Sequence, residues 1–139
     1  MSSLLRILLA TVAALTIAAC GLTKGKAAAT KAVDTFHQQF NDSEFTAIYS
    51  ASTSAFKSAA REPDFMAFIQ AVRRKLGAFK SGTQTSWNVS SVNGVTTVVL
   101  KYQSQFDQGS ATETFTYLTF GETATLQGYN INTPVLIIN

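Results

Sequence analysis

Residues 83–106 read TQTSWNVSSVNGVTTVVLKYQSQF, a stretch in which β-branched and aromatic residues alternate with polar ones. Alternation with a period of two predicts strands that bury one face. Asn93-Gly94 lies near the middle, and this dipeptide favours the two-residue turn of a β-hairpin because both positions accept a positive φ. The stretch therefore predicts a hairpin with one apolar face. The residues on that face are Thr85, Trp87, Val89, Val98, Leu100, Tyr102 and Phe106.

Two further strands are expected downstream of the hairpin. The turn sequence Asp107–Ser110 leads into one, and Gly121-Glu122 leads into the other. The apolar positions of these two strands are Phe115, Tyr117, Leu118, Phe120, Leu126, Tyr129 and Ile131. Pro134 ends the fourth strand because it cannot donate a ladder hydrogen bond. The apolar run Val135–Ile138 is then expected to add an edge segment or to pack under the helices.

Helical periodicity precedes the strands. A first stripe follows an i, i+4, i+7, i+11 pattern and consists of Ala29, Val33, Phe36 and Phe40. A shorter second helix is predicted from Phe45, Ile48 and Tyr49, with one further turn around Phe56. The last stripe follows Pro63 at spacings of 4, 3, 4 and 3 and consists of Phe65, Ile69, Val72, Leu76 and Phe79. Helices followed by strands predict an α+β fold, with N-terminal helices packed on a curved antiparallel sheet of about four strands.

The start of the chain has the three parts of an export signal. Arg6 precedes the apolar run Ile7–Ala19, and small residues end that run. The run is shorter than the about 20 apolar residues that a membrane-spanning helix needs. Its last part, Leu15-Thr16-Ile17-Ala18-Ala19-Cys20, resembles the bacterial lipobox, in which an aliphatic residue and two small residues precede a cysteine. The resemblance implies a lipoprotein that is cut before Cys20 and held to a membrane by lipid on that sulfur.

The lipobox divides the chain into a lipoprotein signal peptide at 1–19, a lipidated tether at 20–26 and a single domain at 27–139. Extended at about 3.5 Å per residue, the tether Gly21–Gly25 reaches under about 18 Å, so the domain is expected close to the lipid headgroups. In the lipoprotein family, an aspartate after the cysteine retains the protein in the inner membrane. Gly21 in that position implies the outer membrane, facing the periplasm, in a Gram-negative cell.

Three further motifs carry a second resemblance. They are Arg74 with Leu76-Gly77, the strand end Tyr102–Phe106, and Gly128–Ile131. Together with the order of helices and strands, they make residues 27–132 similar to the NTF2-like cone of the cystatin-like superfamily, and in particular to small secreted bacterial domains of unknown function. The resemblance implies a fold rather than an activity, because this cone hosts enzymes, transport factors and adaptors. It also allows a homodimer, since such sheets often pair back to back.

The one histidine of the chain, His37, is the natural candidate for acid–base chemistry. It lies three residues after Asp34, so the two side chains could touch across one helical turn. An Asp34–His37 pair is the sharpest catalytic hypothesis, and a surface pair without a catalytic role is the alternative. Cys20 is the one cysteine and the carboxylates do not cluster, so the sequence predicts neither a metal site nor a cofactor. We expect no enzymatic activity.

An aromatic set in the strands offers a second kind of site. It consists of Trp87, Tyr102, Phe115, Tyr117 and Tyr129. These side chains either pack the core or line a pocket at the open end of the cone for a small apolar ligand. A hydroxyl tip prefers a wet edge, which would place Tyr102 and Tyr129 nearest the mouth.

The net charge of the chain is only +3, and its basic residues are spread out except for Arg73-Arg74-Lys75. This mild charge argues against a nucleic-acid ligand. The leading prediction is a non-enzymatic, membrane-tethered domain of the bacterial cell envelope that binds a partner protein. The alternative is a binder of a small amphipathic ligand, such as a lipid or a cell-wall fragment, in the aromatic pocket. An enzyme that uses His37 is the third hypothesis.

Overall fold

The structure is a computed structural model that describes the backbone of residues 3–136 and the side chains of residues 20–136. In this part of the chain, the helices are α1 (Ser3–Asn41), α2 (Phe45–Ser50), α3 (Ser54–Ala59) and α4 (Glu62–Leu76). The strands that follow are β1 (Phe79–Val92), β2 (Val95–Phe106), β3 (Gly109–Phe120) and β4 (Thr123–Asn132). A short 3-10 turn covers Pro134–Leu136. The predicted α+β class, with helices on a curved sheet of four strands, is confirmed.

The strands form one antiparallel sheet in the order β1-β2-β3-β4, and this sheet does not close. The predicted hairpin joins β1 to β2, with Asn93 and Gly94 at φ values of 52° and 77°. Two consecutive positive φ values belong to the turn whose twist matches that of the flanking strands. The turns from β2 to β3 and from β3 to β4 also lie where the sequence predicts them.

Helix α1 crosses one face of the sheet, called the inner face below, and contacts all four strands. The strand register makes Leu100, Phe115 and Tyr129 neighbours on this face. Both of the long helical stripes are buried there, through Ala29, Val33, Phe36, Phe40, Phe65, Ile69, Val72 and Leu76. On the opposite, outer face, the alternate residues of β2 and β3 are exposed or half-buried, as in antiparallel sheets that face water on one side.

Helix α4 ends earlier than the sequence predicts. Periodicity places Phe79 on its stripe, but the helix ends at Leu76 and Phe79 begins β1. Gly77 stops the helix with a φ of 77°. The turn after β2 then holds the chain in its new direction, because the Ala78 N–H donates to the Asp107 carboxylate at 2.7 Å. The prediction for Phe79 is wrong because a glycine stop and a distant carboxylate override the local spacing.

Helix α1 begins earlier than the sequence predicts. Residues 20–26, expected as an extended tether, are helical. Within this stretch the helix packs closely on β3 at Gly25. A Cβ at that position would lie only 2.9 Å from Oγ1 of Thr119, so the absence of a side chain allows the contact. A helical rise of about 1.5 Å per residue puts Cys20 about 7.5 Å from Gly25 along the axis, less than half the reach of an extended tether.

The two ends of the chain are described in part. The side chains of residues 1–19, the predicted signal peptide, lie outside the described ones, as do residues 137–139. Of the apolar run Val135–Ile138, the first two residues pack against the core from the 3-10 turn, which supports packing rather than an edge strand. Among the described residues, no helix has the length and apolar character needed to cross a membrane.

Candidate functional site

The structure pairs His37 with Glu113 instead of Asp34. Nε2 of His37, on α1, lies 2.8 Å from Oε2 of Glu113, in the middle of β3. His37 is 5% exposed and Glu113 is 1% exposed, whereas Asp34 is on the solvent side of the helix. The predicted Asp34–His37 pair is therefore wrong. His37 belongs to the buried stripe because it follows Val33 by four residues, a spacing that returns to the same helix face.

The Glu113 carboxylate is satisfied on both oxygens. The Ser104 hydroxyl donates to Oε2 at 2.5 Å, and the Tyr129 hydroxyl donates to Oε1 at 2.7 Å. The carboxylate accepts a hydrogen bond from each hydroxyl. We assign it as the acceptor in the hydrogen bond with His37 too, so that the N–H at Nε2 of His37 donates to Oε2. Burial of a carboxylate costs free energy unless its oxygens are hydrogen-bonded. Both oxygens of Glu113 are hydrogen-bonded.

Aromatic rings enclose the histidine side of this network. The His37 imidazole stacks on Phe79, with centroids 3.6 Å apart and planes at 4°. The Phe115 ring meets it edge-on at 5.5 Å. Four clefts on the described surface are lined by side chains other than His37 and Glu113, and Tyr129, which donates to Glu113, lines one of them. His37 and Glu113 are buried, and the hydrogen bond between them joins α1 to the sheet.

Sequence reasoning missed Glu113 and Ser104, although a signal for Glu113 was present. Glu113 alternates in phase with Ala111 and Phe115, so the β3 pattern directs it to the buried face. A carboxylate in that position requires partners, and the one histidine of the chain is the obvious candidate. Ser104 could not be found this way, because its contact depends on the pairing of β2 with β3.

The predicted aromatic set does not surround one cavity. Phe115 is fully buried, and Tyr102 and Tyr117 are also core residues. Tyr129 is half-buried on β4, and Trp87 on the edge strand is 55% exposed. Trp87 shares the register row of the buried residue Leu100, but the only side chain of α1 described over its ring is Lys26, whose Nζ lies 4.4 Å from the ring centroid. The three buried rings pack in the core, and none of the four clefts described on residues 20–136 is lined by all five aromatic side chains.

Burial raises the pKa of all three tyrosines of this set, Tyr102, Tyr117 and Tyr129, and the increase is large for the last two. Desolvation raises the pKa of the Tyr117 phenol far above its usual value. Desolvation, together with the negative charge of Glu113, also raises the pKa of Tyr129 well above its usual value. Both phenols therefore stay protonated in the folded protein, which allows Tyr129 to remain a donor to Glu113.

A different cleft, which we call the Gln127 cleft, opens between α3, α4 and β4. Its volume is about 260 Å³, and its lining is mainly Phe56, Ala59, Ala60, Phe65, Phe68, Gln127 and Tyr129. A β-bulge at Gln127 interrupts the pairing of β3 with β4. Oε1 of Gln127 is buried and has no hydrogen-bond partner in the protein. Of the predicted aromatic set, Tyr129 lines this cleft. Oε1 of Gln127 is a hydrogen-bond acceptor in the cleft that no protein group uses.

Cys20 lies exposed on α1, ahead of the part of the helix that packs on the sheet. A Cβ added at the neighbouring Gly21 would meet nothing within 4 Å. Among residues 20–136, no three histidine, cysteine or acidic side chains are placed to hold a metal ion. Comparison of the whole chain with models of known protein families and with curated proteins gave no match.

We predict that His37 and Glu113 stabilise the fold as a pair. His37→Leu or Glu113→Leu alone should lower the free energy of unfolding by about 3 kcal/mol, because each leaves buried polar groups without a partner. In a double-mutant cycle measured by urea denaturation, the coupling energy should exceed about 1 kcal/mol. The control is Asp34→Leu, which should change stability by less than about 0.5 kcal/mol. Single-variant losses no larger than that of the control would contradict the assignment.

Alkaline pH should destabilise the protein through Tyr117 and Tyr129. Above about pH 10 tyrosine in the unfolded chain loses its proton, whereas the folded protein keeps it. The unfolded state then binds fewer protons, so stability falls as the pH rises, by about 1.4 kcal/mol per pH unit for each tyrosine. Urea denaturation between pH 8 and 11 should show a shallower decline in Tyr117→Phe than in the natural chain, and the difference cancels the titration of lysines. Equal slopes would refute this account.

Proposed function

We propose that this protein is a lipid-anchored lipoprotein of the bacterial cell envelope whose domain, of the NTF2-like family, binds a partner protein. The observation that carries the proposal is the position of Cys20. It ends a signal-like segment in the sequence and lies exposed on α1 in the fold. In a Gram-negative cell the proposed location is the outer membrane, facing the periplasm.

The surroundings of Cys20 suit lipid attachment. Residues 20–23 are exposed, and the space around Gly21 is open, so acyl chains on the sulfur would not disturb the core. From Gly25 onward the helix packs on the sheet, which holds the lipid site at a fixed place relative to the domain. Attachment of more than one acyl chain would give stable membrane binding, since a single chain holds only marginally.

A binding role fits the chemistry of the folded domain. The pair His37–Glu113 is buried, and its hydrogen bond joins α1 to the sheet. The outer face of the sheet, by contrast, presents a group of half-buried, uncharged side chains on β2 and β3. They include Thr97, Val99, Thr116 and Leu118. Such a face suits a protein partner, and a second copy of this chain would fit it as well.

Replacement of Cys20 tests the anchor. Cys20→Ala should abolish labelling by a radioactive or clickable fatty acid and leave uncleaved precursor, while the domain still folds by circular dichroism. Ala28→Cys in the Cys20→Ala background is the matched control, since it restores a thiol on the same helix without the lipobox. Acyl labelling that persists in Cys20→Ala, or that returns with the control cysteine, would contradict the proposal.

The partner surface is tested with a photo-crosslinking amino acid at Leu118, on the outer face, and at Gln108, in the turn at the other end of β3. Gently solubilised envelopes at native expression should give one specific crosslinked protein from position 118 and none from position 108. Loss of every specific adduct would count against the adaptor role, and an adduct of twice the monomer mass would identify a homodimer.

A second function, binding of a small amphipathic ligand, is favoured by the Gln127 cleft. The unpaired Oε1 of Gln127 would accept a hydrogen bond from a ligand whose apolar part contacts Phe65 and Phe68. This site differs from the five-aromatic pocket that the sequence suggests. The cleft is slightly smaller than the about 300 Å³ typical of small-molecule sites, so a compact ligand is expected.

Filling the cleft tests this second function. A fluorescent naphthylamine probe should bind the natural protein, and Ala60→Leu should reduce its affinity at least about tenfold by occupying the apolar wall. Ala28→Leu, on α1 away from the cleft, is the matched control and should leave the affinity unchanged. Equal binding by all three proteins, or none by the natural one, would remove the cleft as a ligand site.

A further inference from the structure

Exposed apolar side chains gather at one end of the sheet. Val92 and Val95 flank the turn of the first hairpin, and Phe120 is the last residue of β3. Phe120 is 72% exposed and Val92 is 67% exposed, which is unusual for such large apolar groups. The register joins them, because Val92 pairs with Val95 and the next residue, Thr96, pairs with Thr119. We call these three residues the anchor edge.

The anchor edge is the end of the sheet nearest Cys20. Gly25 on α1 packs against Thr96 and Thr119, which directly precede or follow the edge residues Val95 and Phe120. The rise of an α-helix places Cys20 about 7.5 Å beyond this contact. The headgroup region on one side of a bilayer is about 5–8 Å thick. An anchor at Cys20 therefore brings the edge to the depth of the headgroups.

The direction of α1 leads to the same side independently of lipid. From Gly25 toward its start, the helix passes Cys20 and continues through a backbone that is helical from Ser3. The sequence of that part is the apolar run Ile7–Ala19. A membrane that holds this run before cleavage, or acyl chains on Cys20 afterwards, lies beyond the anchor edge in both cases.

The distribution of charge also distinguishes this end. Residues 81–100 contain no charged side chain, and Glu122 is the one acidic residue in the turn after β3. The middle of α1, from Cys20 to Val33, contains three lysines, and its first acidic residue is Asp34. At the other end of the sheet, Lys80 and Asp107 form an exposed ion pair at 2.9 Å. A rim with a single acidic residue, next to three lysines, is suited to a lipid surface with anionic headgroups.

We propose that the anchor edge inserts Val92, Val95 and Phe120 into the headgroup layer of the membrane that holds Cys20. This inference rests on the proposed lipid anchor and extends it, because the protein would touch the membrane at two places. Two contacts fix the orientation of the domain relative to the membrane. The strands then run away from the lipid surface, and the end of the sheet that bears Asp107 is the farthest from it. Val95 and Phe120 lie at the membrane end of the outer face, and the rest of that face on β2 and β3 is then left free for a partner.

The test uses tryptophan as a depth probe. Trp87 is the one tryptophan of the chain, so Trp87→Phe provides a silent background. Into it we would place Phe120→Trp on the anchor edge, or Gln108→Trp in the exposed turn at the opposite end as the matched control. The full chain, purified with its lipid and reconstituted in phosphatidylethanolamine–phosphatidylglycerol vesicles, is then mixed with lipids brominated at different depths.

The tryptophan of Phe120→Trp should shift to the blue and be quenched most by lipids brominated close to the headgroup. The tryptophan of Gln108→Trp should show neither effect. Vesicles of phosphatidylcholine alone lack the anionic headgroups that attract the lysines, so they should weaken the quenching without abolishing it. Quenching equal at both positions, or absent at position 120 in vesicle-bound protein, would overturn the inference. A blue shift without quenching would show that a second copy of the chain covers the edge, and would also overturn it.

A second arm separates this inference from the anchor itself. If the purified chain carries no lipid and stays in the supernatant, the proposed function fails. The thiol of Cys20 can then be coupled to a maleimide headgroup lipid, since it is the one cysteine present. Quenching at position 120 in the coupled protein would still support insertion of the edge, and its absence would still refute it.

Discussion

The fold depends on the contact between α1 and the inner face of the sheet. One helix covers four strands, and at the centre of this contact His37 reaches Glu113 through a hydrogen bond of 2.8 Å. Phe36 packs edge-on against Phe115 beside it. Because α1 also carries Cys20, the same contact that completes the core fixes where the proposed lipid lies relative to the sheet.

A polar network in the core restricts how the helix sits. Aromatic packing alone tolerates small shifts, since rings adapt to several edge and tilted arrangements. The hydrogen bonds of Glu113 do not, because a slide of one turn, about 5.4 Å, would leave its carboxylate out of reach of His37. We therefore interpret the network as a device for register. The close approach at Gly25 acts in the same direction at the start of the packed helix.

The sequence predicts the architecture well because local signals decide it. The Asn93-Gly94 turn and the helical stripes each depend on a few neighbouring residues, and the structure confirms them. Phe79 fails as a helix residue because the stop at Gly77 is stabilised by Asp107, which is distant in the sequence. The expected start of the first helix after Gly25 is wrong, since residues 20–26 are helical, and the contact of Gly25 with Thr119 comes from a strand distant in the sequence.

The candidate site was harder to predict for the same physical reason. His37 was recognised as chemically distinctive, but local spacing favours Asp34, whereas the partner comes from a strand 76 residues away. The alternation in β1 predicts the face of the sheet on which Trp87 lies. It does not predict its exposure, which depends on how far the helices extend over β1. Periodicity predicts which face of a helix or strand a side chain is on. It does not predict which residue that side chain contacts.

Lipid on Cys20 is the central claim, since it determines both the cellular location and the orientation of the domain. Mass spectrometry of tryptic peptides from the mature protein tests it directly, because trypsin cuts after Arg6 and after Lys24. The account predicts a peptide Cys20–Lys24 that begins at the cysteine and carries the mass of a diacylglycerol. An unmodified peptide that runs from Ile7 to Lys24, or a mature chain that begins at another residue, would contradict it.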